Sequence, residues 1–149
     1  MNQYQSKNAT ETGALEVRIQ SQLNQTLDLN KWIASNISLK PNYRVLELCC
    51  GTGGQTELLA KQLYEGELIC SDINPESIEK NKLRLNCPRI SYIITDIDSL
   101  PEELNGGFDV IFCGYGFYYS SNADFLLERL LPRLASNGQF ILVGPILGN

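Results

Sequence analysis

Histidine is absent from all 149 residues. With it go the commonest general base and metal ligand, and every Ser-His-Asp or Cys-His nucleophile arrangement. Long apolar runs are also missing. Nothing approaches the ~18–20 residues needed to span a bilayer, and the opening MNQYQSKNATETG is polar, without the apolar centre of a secretory signal. These two absences point to the cytoplasm and predict no membrane span. Clustered positive charge is a third lack. The 12 Lys and Arg residues are scattered among 17 Asp and Glu, and the net charge is −5. That argues against binding along phosphate backbones, which draws its energy from grouped cations. The expected partner is a small-molecule substrate, with no nucleic acid.

What is present fits one soluble domain: 43% hydrophobic and 19% charged residues in a chain long enough to bury a core. Five cysteines occur, at 49, 50, 70, 87 and 113. An odd number sits poorly with a disulfide framework, and in the cytoplasm they should be reduced thiols. Cys49 and Cys50 are adjacent, and their Cα atoms, ~3.8 Å apart, allow a disulfide only with strain. No C-x₂₋₄-C pair with a matching partner is present, so no metal site is expected.

Residues 1–12 read as loosely held. Leu15, Ile19 and Leu23 then recur every four residues as a helical stripe, and a second helical segment runs from about Leu29 to Ile37 before Lys40-Pro41-Asn42 breaks it. From there the chain alternates. Strands are expected at Tyr43–Leu48, Glu67–Ser71, Ile90–Thr95, Phe108–Cys113 and Gln139–Val143, the last two after Asn105-Gly106-Gly107 and Asn137-Gly138 turns. Helices are expected at about Gln55–Tyr64, Pro75–Asn86 and Asn122–Ala135, with Pro132 kinking or splitting the last. Asn74 serves as N-cap before Pro75 at the first helical position. Strand–helix alternation with apolar runs such as VIFC and FILV predicts a parallel sheet covered on both faces. Ligands in such sheets bind at the carboxyl ends of the strands, where strand order reverses.

Glu47-Leu48-Cys49-Cys50-Gly51-Thr52-Gly53-Gly54 follows the first strand, and its glycines let the backbone turn sharply and approach a ligand ahead of a helix. A dinucleotide fingerprint G-x-G-x-x-G counted from Gly51 would need glycine where Thr56 stands, and it leaves Glu47 without a role. Asp72 comes 19 residues after Gly53, directly after the second strand. It either accepts both hydroxyls of a ribose, with Ile73 covering one face of a base, or helps cap the next helix, a task Asn74-Pro75 already performs. Asp96, after the third strand, either reads an exocyclic amine or is an exposed turn residue before Asp98. Three acidic groups at successive strand ends around one glycine loop suit a ligand with an amine at one end, a ribose in the middle and adenine at the other.

Val45-Leu46-Glu47-Leu48-Cys49-Cys50-Gly51-Thr52-Gly53 resembles the first motif of the class I S-adenosylmethionine-dependent methyltransferases, hydrophobic-hydrophobic-acidic-x-glycine-x-glycine-x-glycine. The resemblance runs from about Tyr43 to Val143 and is strongest to the small-molecule enzymes of the quinone-biosynthesis type, through the Phe108–Leu131 stretch. It implies an α/β, Rossmann-like doubly wound parallel sheet of order 3-2-1-4-5, helices on both faces, and S-adenosylmethionine as cofactor with S-adenosylhomocysteine as product. It implies an N-terminal helical cap over 1–40 and a cofactor-binding domain over 41–149. By the same resemblance Glu47 orients the methionine ammonium through water or backbone amides. Gly51 and Gly53 allow close approach, Asp72 with Ile73 holds the ribose and base, Asp96 and Ile97 edge the adenine, and the backbone at Cys113 faces the methionine end. Tyr115, Tyr118 and Tyr119 lie toward the substrate or pack in the core and its rim.

No catalytic base is identified. Methyl transfer from a sulfonium is an in-line displacement that needs alignment rather than a metal. Without histidine, a base would be a Tyr, an Asp or the substrate's own ionised group. Cys49 replaces the motif's first glycine and is counted among the cofactor-binding positions; its Cβ is tolerable there if its φ is negative, and otherwise crowds the methionine moiety. The family's sheet usually carries two further strands, so FILV is left as an open apolar edge. Either the chain is a fragment, or a second chain (a homodimer mate or another partner) or the N-terminal helices cover it. Tyr4, Arg18 and Trp32 are candidates to close over the cofactor, with packing the better reading for Trp32. Two other functions remain open: a non-catalytic cofactor-binding module that needs a partner, and a nicotinamide- or flavin-linked oxidoreductase.

Overall fold

Residues 27–145 are described in the computed structural model. The expected helical stripe of Leu15, Ile19 and Leu23, with Tyr4 and Arg18, lies outside the described residues.

The elements run α1 (Leu29–Ser35), β1 (Arg44–Leu48), α2 (Gly54–Gln62), β2 (Glu67–Asp72), α3 (Pro75–Arg84), β3 (Ile90–Ile94), β4 (Phe108–Gly114), α4 (Ala123–Leu130) and β5 (Leu134–Val143). Short 3₁₀ turns lie at Ile97–Ser99, Phe117–Tyr119 and Leu131–Arg133. All strand pairs are parallel, in the order β3-β2-β1-β4-β5. The expected Rossmann-like α/β fold is therefore present. Its order reverses between β1 and β4, where successive crossovers leave for opposite sides and open a crevice at the strand ends.

Alternation along each strand sorts the core into two layers. Val45, Leu68, Cys70, Val110 and Phe112 pack with Ile33, Leu59, Leu63 and Ile78 from α1, α2 and α3. Leu46, Leu48, Ile69 and Ile111 pack on the other face with Leu126 and Leu130 of α4 and with Ile97, Leu100 and Leu104. Period 2 therefore sends Glu47, between Leu46 and Leu48, to the face covered by α2.

Two boundaries differ from expectation. The last helix stops at Leu130, and Leu131–Arg133 continues as a 3₁₀ turn. Pro132 has no N–H to extend the α-helical ladder, which produces the expected split. β5 begins at Leu134, five residues before the expected Gln139. Phe108 faces Leu134 but Val110 faces Gln139, so Asn137-Gly138 forms an irregularity inside the strand rather than a turn before it. Gly138 sits against the Phe108 carbonyl, where a Cβ would lie 2.6 Å from the oxygen. Trp32, on α1, is 49% exposed.

Arginines hold the ligand-side loops in place. Arg129 donates to the carbonyls of Asp98 (2.9 Å) and Leu100 (3.0 Å), and buried Arg133 donates to those of Pro101 (3.1 Å) and Leu104 (2.9 Å). The segment carrying Asp96 and Ile97 is thereby clamped to α4. Helix α3 is set by Asn74, whose side chain accepts from the N–H groups of Glu76 (2.9 Å) and Ser77 (3.2 Å). Asn74→Ala is expected to cost about 1–2 kcal/mol in urea denaturation, by loss of this cap. An unchanged midpoint would show that α3 needs no cap.

Candidate functional site

The carboxyl ends of β1, β2, β3 and β4 gather most of the residues marked by sequence. Cys49 and Cys50 begin the loop, which reaches α2 through Gly51 (φ 55°) and Gly53 (φ 96°), both left-handed. A Cβ on Gly53 would meet the Asn81 carboxamide at 2.5 Å from Oδ1, so glycine is needed there for both conformation and space.

Asp72 ties the loop to β2. One carboxylate oxygen accepts from the Gly51 N–H at 2.8 Å and the other from the Asn74 N–H at 2.9 Å. Partial burial raises its pKa, while these backbone N–H groups and that of Ile73 oppose the rise. Each oxygen keeps a further lone pair, so Asp72 both braces the loop and retains acceptor capacity. Ile73 beside it is 41% exposed.

Glu47 lies beneath the loop. It is 1% exposed, and its Oε2 accepts from Thr56 Oγ1 at 2.7 Å and from Cys70 Sγ at 3.4 Å. Asn81 continues the network, donating to Thr56 Oγ1 (3.0 Å) and the Gly51 carbonyl (3.4 Å) while accepting from Tyr92 Oη (3.1 Å). Burial pushes the Glu47 pKa up to about 7; the Thr56 and Cys70 hydrogen bonds resist this and the Asp72 charge adds to it. The carboxyl group points inward, against Thr56 in the first turn of α2.

Asp96 is exposed and accepts from the Asp98 N–H at 2.8 Å, capping the 3₁₀ turn at Ile97–Ser99. The Ile97 side chain is buried in the α4-side core. Asp98 accepts from Ser120 Oγ (2.5 Å) and from the N–H and Oγ of Ser121 (2.7 Å each), joining this turn to the one at Phe117–Tyr119. Tyr118 is 37% exposed, with its ring 4.7 Å from that of Tyr119. The Tyr119 hydroxyl is buried without a hydrogen-bond partner among the described residues.

Cys49 has φ 56°, not the negative value that would make its Cβ easy to accommodate. Tyr115, at the end of β4, has φ 60°. A non-glycine residue in this region costs about 1–2 kcal/mol. Gly116 makes the room: a Cβ on it would run into Cys49 Cβ and lie 2.6 Å from Cys49 Sγ and 3.4 Å from Cys113 Sγ. The missing motif glycine is in effect moved across the crevice from position 49 to 116. The Cys113 thiol beside it and its burial push the Cys49 thiol well above its usual pKa; burial and the neighbouring Cys50 do the same for Cys70. Thiols kept protonated are poor nucleophiles, so Cys49 and Cys70 act as packing around the loop.

Sequence reading missed Thr56 and Asn81, which hold the loop from below, and Asn30 and Gln55 above it. Gln55 Nε2 donates to Asn30 Oδ1 at 3.3 Å. None of the four belongs to a spacing pattern; only Thr56, at the place where a dinucleotide fingerprint needs glycine, carried a signal.

Two measurements test this account. Gly116→Ala should destabilise the protein by about 1–3 kcal/mol by overpacking. Made together with Cys49→Gly it should cost at least about 1 kcal/mol less, a coupling read from a double-mutant cycle in urea; equal costs in both backgrounds would refute the contact. For Glu47, the folded-state pKa of about 7 lies above the ordinary 4.5. Between these values the folded state holds the proton that the unfolded state has lost. The Glu47 contribution to stability is therefore intact below about pH 4.5 and declines up to about pH 7, by on the order of 3 kcal/mol. Glu47→Gln should remove that part of the decline; parallel wild-type and variant curves from pH 4.5 to 8 would show that Glu47 does not titrate in this range.

The Methyltransferase domain family model matches residues 45–138. A malonyl-[acyl-carrier protein] O-methyltransferase of Anoxybacillus flavithermus is 32% identical over 101 residues, covering 68% of this chain and 38% of that protein. A demethylmenaquinone methyltransferase of Leptospira interrogans is 28% identical over 101 residues, covering 65% and 41%. Among solved structures, the plantazolicin methyltransferase BpumL in complex with SAH superposes with a TM-score of 0.60 at 31% identity, over 66% of this chain and 38% of that one. The putative methyltransferase complexed with the Haloferax volcanii Trm112 activator superposes at 0.72 with 20% identity, over 87% and 57%, a likeness of fold. The chain thus spans about two-fifths of the length of these curated relatives. With the motif, the sheet order and the family match in agreement, the chain belongs to the methyltransferase domain family, the class I S-adenosylmethionine-dependent methyltransferases.

Proposed function

We propose that this chain binds S-adenosylmethionine across the carboxyl ends of β3, β2, β1 and β4, and that the protein transfers a methyl group from it to a small molecule, leaving S-adenosylhomocysteine. The observation that carries this is the bond from the Gly51 N–H to Asp72, which makes loop and acidic acceptor one rigid unit. The other residues fit the same ligand. Asp72 accepts the ribose hydroxyls, exposed Ile73 covers the base, and Asp96 with the Ile97 backbone takes the adenine edge. Helices α1, α3 and α4 have side-chain caps from Asp28, Asn74 and Asn122, but α2 starts at Gly53 with none. Its first N–H groups are left for the cofactor's carboxylate.

S-adenosylmethionine supplies an activated methyl group, so the chain's residues need only bind, align and exclude water. Glu47 supports the ammonium end through Thr56 and the loop, Cys49 and the Cys113 backbone line that end, and Gly51 and Gly53 admit the ligand close to the main chain. Tyr115, Tyr118 and Tyr119 lie toward the acceptor. The division we propose is a cap segment at 1–40 and a cofactor domain at 41–149.

A second reading is a cofactor-binding module completed by a partner. The exposed face of β5, with Leu142 50% exposed and no strand beyond it among the described residues, favours it. The partner is a second copy or another chain, not a nucleic acid. No helix among the described residues is long and apolar enough to cross a membrane, and we place the protein in the cytoplasm.

Calorimetric titration is expected to show binding of S-adenosylmethionine and S-adenosylhomocysteine but not NAD, with Asp72→Ala weakening both by at least about tenfold through loss of charged hydrogen bonds. Binding of NAD alone would overturn the reading, and unchanged affinity in Asp72→Ala would overturn the site. Turnover with phenols, quinols and amines, followed as released S-adenosylhomocysteine, separates the enzyme from the binding module.

A further inference from the structure

Asp98 stands between the turn after β3 and the strap after β4. Its N–H donates to Asp96 Oδ1 at 2.8 Å, inside the turn that carries the proposed adenine contacts. That turn is braced from within and from behind. The Ser99 N–H donates to the Asp96 carbonyl (3.0 Å), Thr95 Oγ1 to the Ser99 carbonyl (3.1 Å), and Arg129 of α4 to the Asp98 carbonyl (2.9 Å). The Asp98 carboxylate reaches out of the turn and accepts three hydrogen bonds from the strap, from Ser120 Oγ and from the N–H and Oγ of Ser121. Bonds to an ionised acceptor are roughly twice as strong as neutral ones, so this is a firm latch. Ser120 Oγ also accepts from the Asn122 N–H (3.2 Å) at the cap of α4. Latch, strap and helix start thus share one hydroxyl.

The strap needs such a latch. Its 3₁₀ turn at Phe117–Tyr119 starts at Gly116 without a side-chain cap. The Tyr119 hydroxyl is buried with no hydrogen-bond partner among the described residues, which disfavours this position of the ring. Phe117 against Phe140 (ring centroids 5.8 Å) and the bonds to Asp98 hold the turn against that cost. An arrangement in which Tyr119 swings out and its hydroxyl meets water is the natural alternative. We propose that Asp98 is a positioning residue that couples the two sides of the crevice, passing the order of the adenine-side turn to the strap that bears Tyr118 and Tyr119. The inference rests on the proposed cofactor site. An amine bound at Asp96 Oδ2 fixes the carboxylate whose Oδ1 sets the Asp98 N–H, and the Asp98 carboxylate in turn holds the strap closed. A filled adenine side therefore keeps the tyrosines in place for the acceptor, through bonds rather than through contact with the ligand.

The test is amide exchange on the full chain, read residue by residue by NMR with and without S-adenosylhomocysteine. The reporters are the Ser99 N–H in the adenine-side turn and the Tyr119 and Ser120 N–H groups in the strap. Their acceptors are the carbonyls of Asp96, Gly116 and Phe117, which a change at the Asp98 side chain leaves in place. In the wild type S-adenosylhomocysteine should slow exchange at all three by at least about fivefold. In Asp98→Ala it should still slow Ser99, while its effect on Tyr119 and Ser120 falls below about twofold. Ser121→Ala, which removes one of the three bonds at an exposed residue, should lie between. A merely structural latch would speed exchange in the strap by the same factor with and without the ligand. The wild-type response would then survive in both variants, and that result would overturn the coupling. So would a wild-type strap that does not respond although S-adenosylhomocysteine binds; both outcomes leave the cofactor site intact. If Asp98→Ala does not fold, Ser121→Ala decides by itself, an undiminished response overturning the coupling. A wild-type chain that binds no S-adenosylhomocysteine would overturn the site itself, and the coupling with it.

Discussion

The carboxyl group of Glu47 sits under the glycine loop with Thr56 bonded to it at 2.7 Å, and the site's geometry follows from that contact. Strand alternation directs Glu47 to the face that α2 covers, and the bond fixes where the first turn of α2 begins. Asn81 then joins Thr56 to the Gly51 carbonyl from α3, and Asp72 takes the Gly51 N–H from β2. The loop is thus held by three different elements, and both the N–H and the C=O of Gly51 are used. Such a buried network is favourable only when complete, because an unpaired polar group in the interior costs more than a formed bond returns.

Strain and space are handled by residues far apart in the chain. Cys49 and Tyr115 both adopt left-handed backbone at the ends of neighbouring strands, which clusters strain at the crevice. The Cys49 side chain is accommodated because Gly116 has none. The loop's first position need not be glycine provided the facing strand end is. The adjacent cysteines that stand out in LELCCGTGG are thereby explained as shape: Cys49 leans on Cys113 across the crevice, and Cys50 on Cys70 beneath the loop.

The surroundings divide into a firm side and an open one. Arg129 and Arg133 clamp the Asp96 segment, and Asp98 joins it to the turn bearing Tyr118 and Tyr119, so the Asp96–Ile97 turn and the tyrosines form one connected wall. β5 has a strand on one side only among the described residues, and its apolar outer residues are half-exposed. The mouth of the crevice is finished by α1, through Asn30.

Local pattern was enough to read the parallel sheet, the starts of β2, β3 and β4, the Asn74-Pro75 helix entry, the split at Pro132, and the placing of Asp72 and Asp96 at strand ends. Each of these depends on alternation, on proline's missing N–H or on an acidic side chain beside a strand terminus, properties of neighbours in the chain. Tertiary structure alone decided that Glu47 turns inward to Thr56, that Cys49 takes positive φ against Gly116, that Asn137-Gly138 lies inside β5, and that Asn30 reaches Gln55 over the loop. Those contacts form where crossovers bring remote segments together. Their existence depends on which helix covers which face and how closely it packs, and no short-range periodicity encodes that.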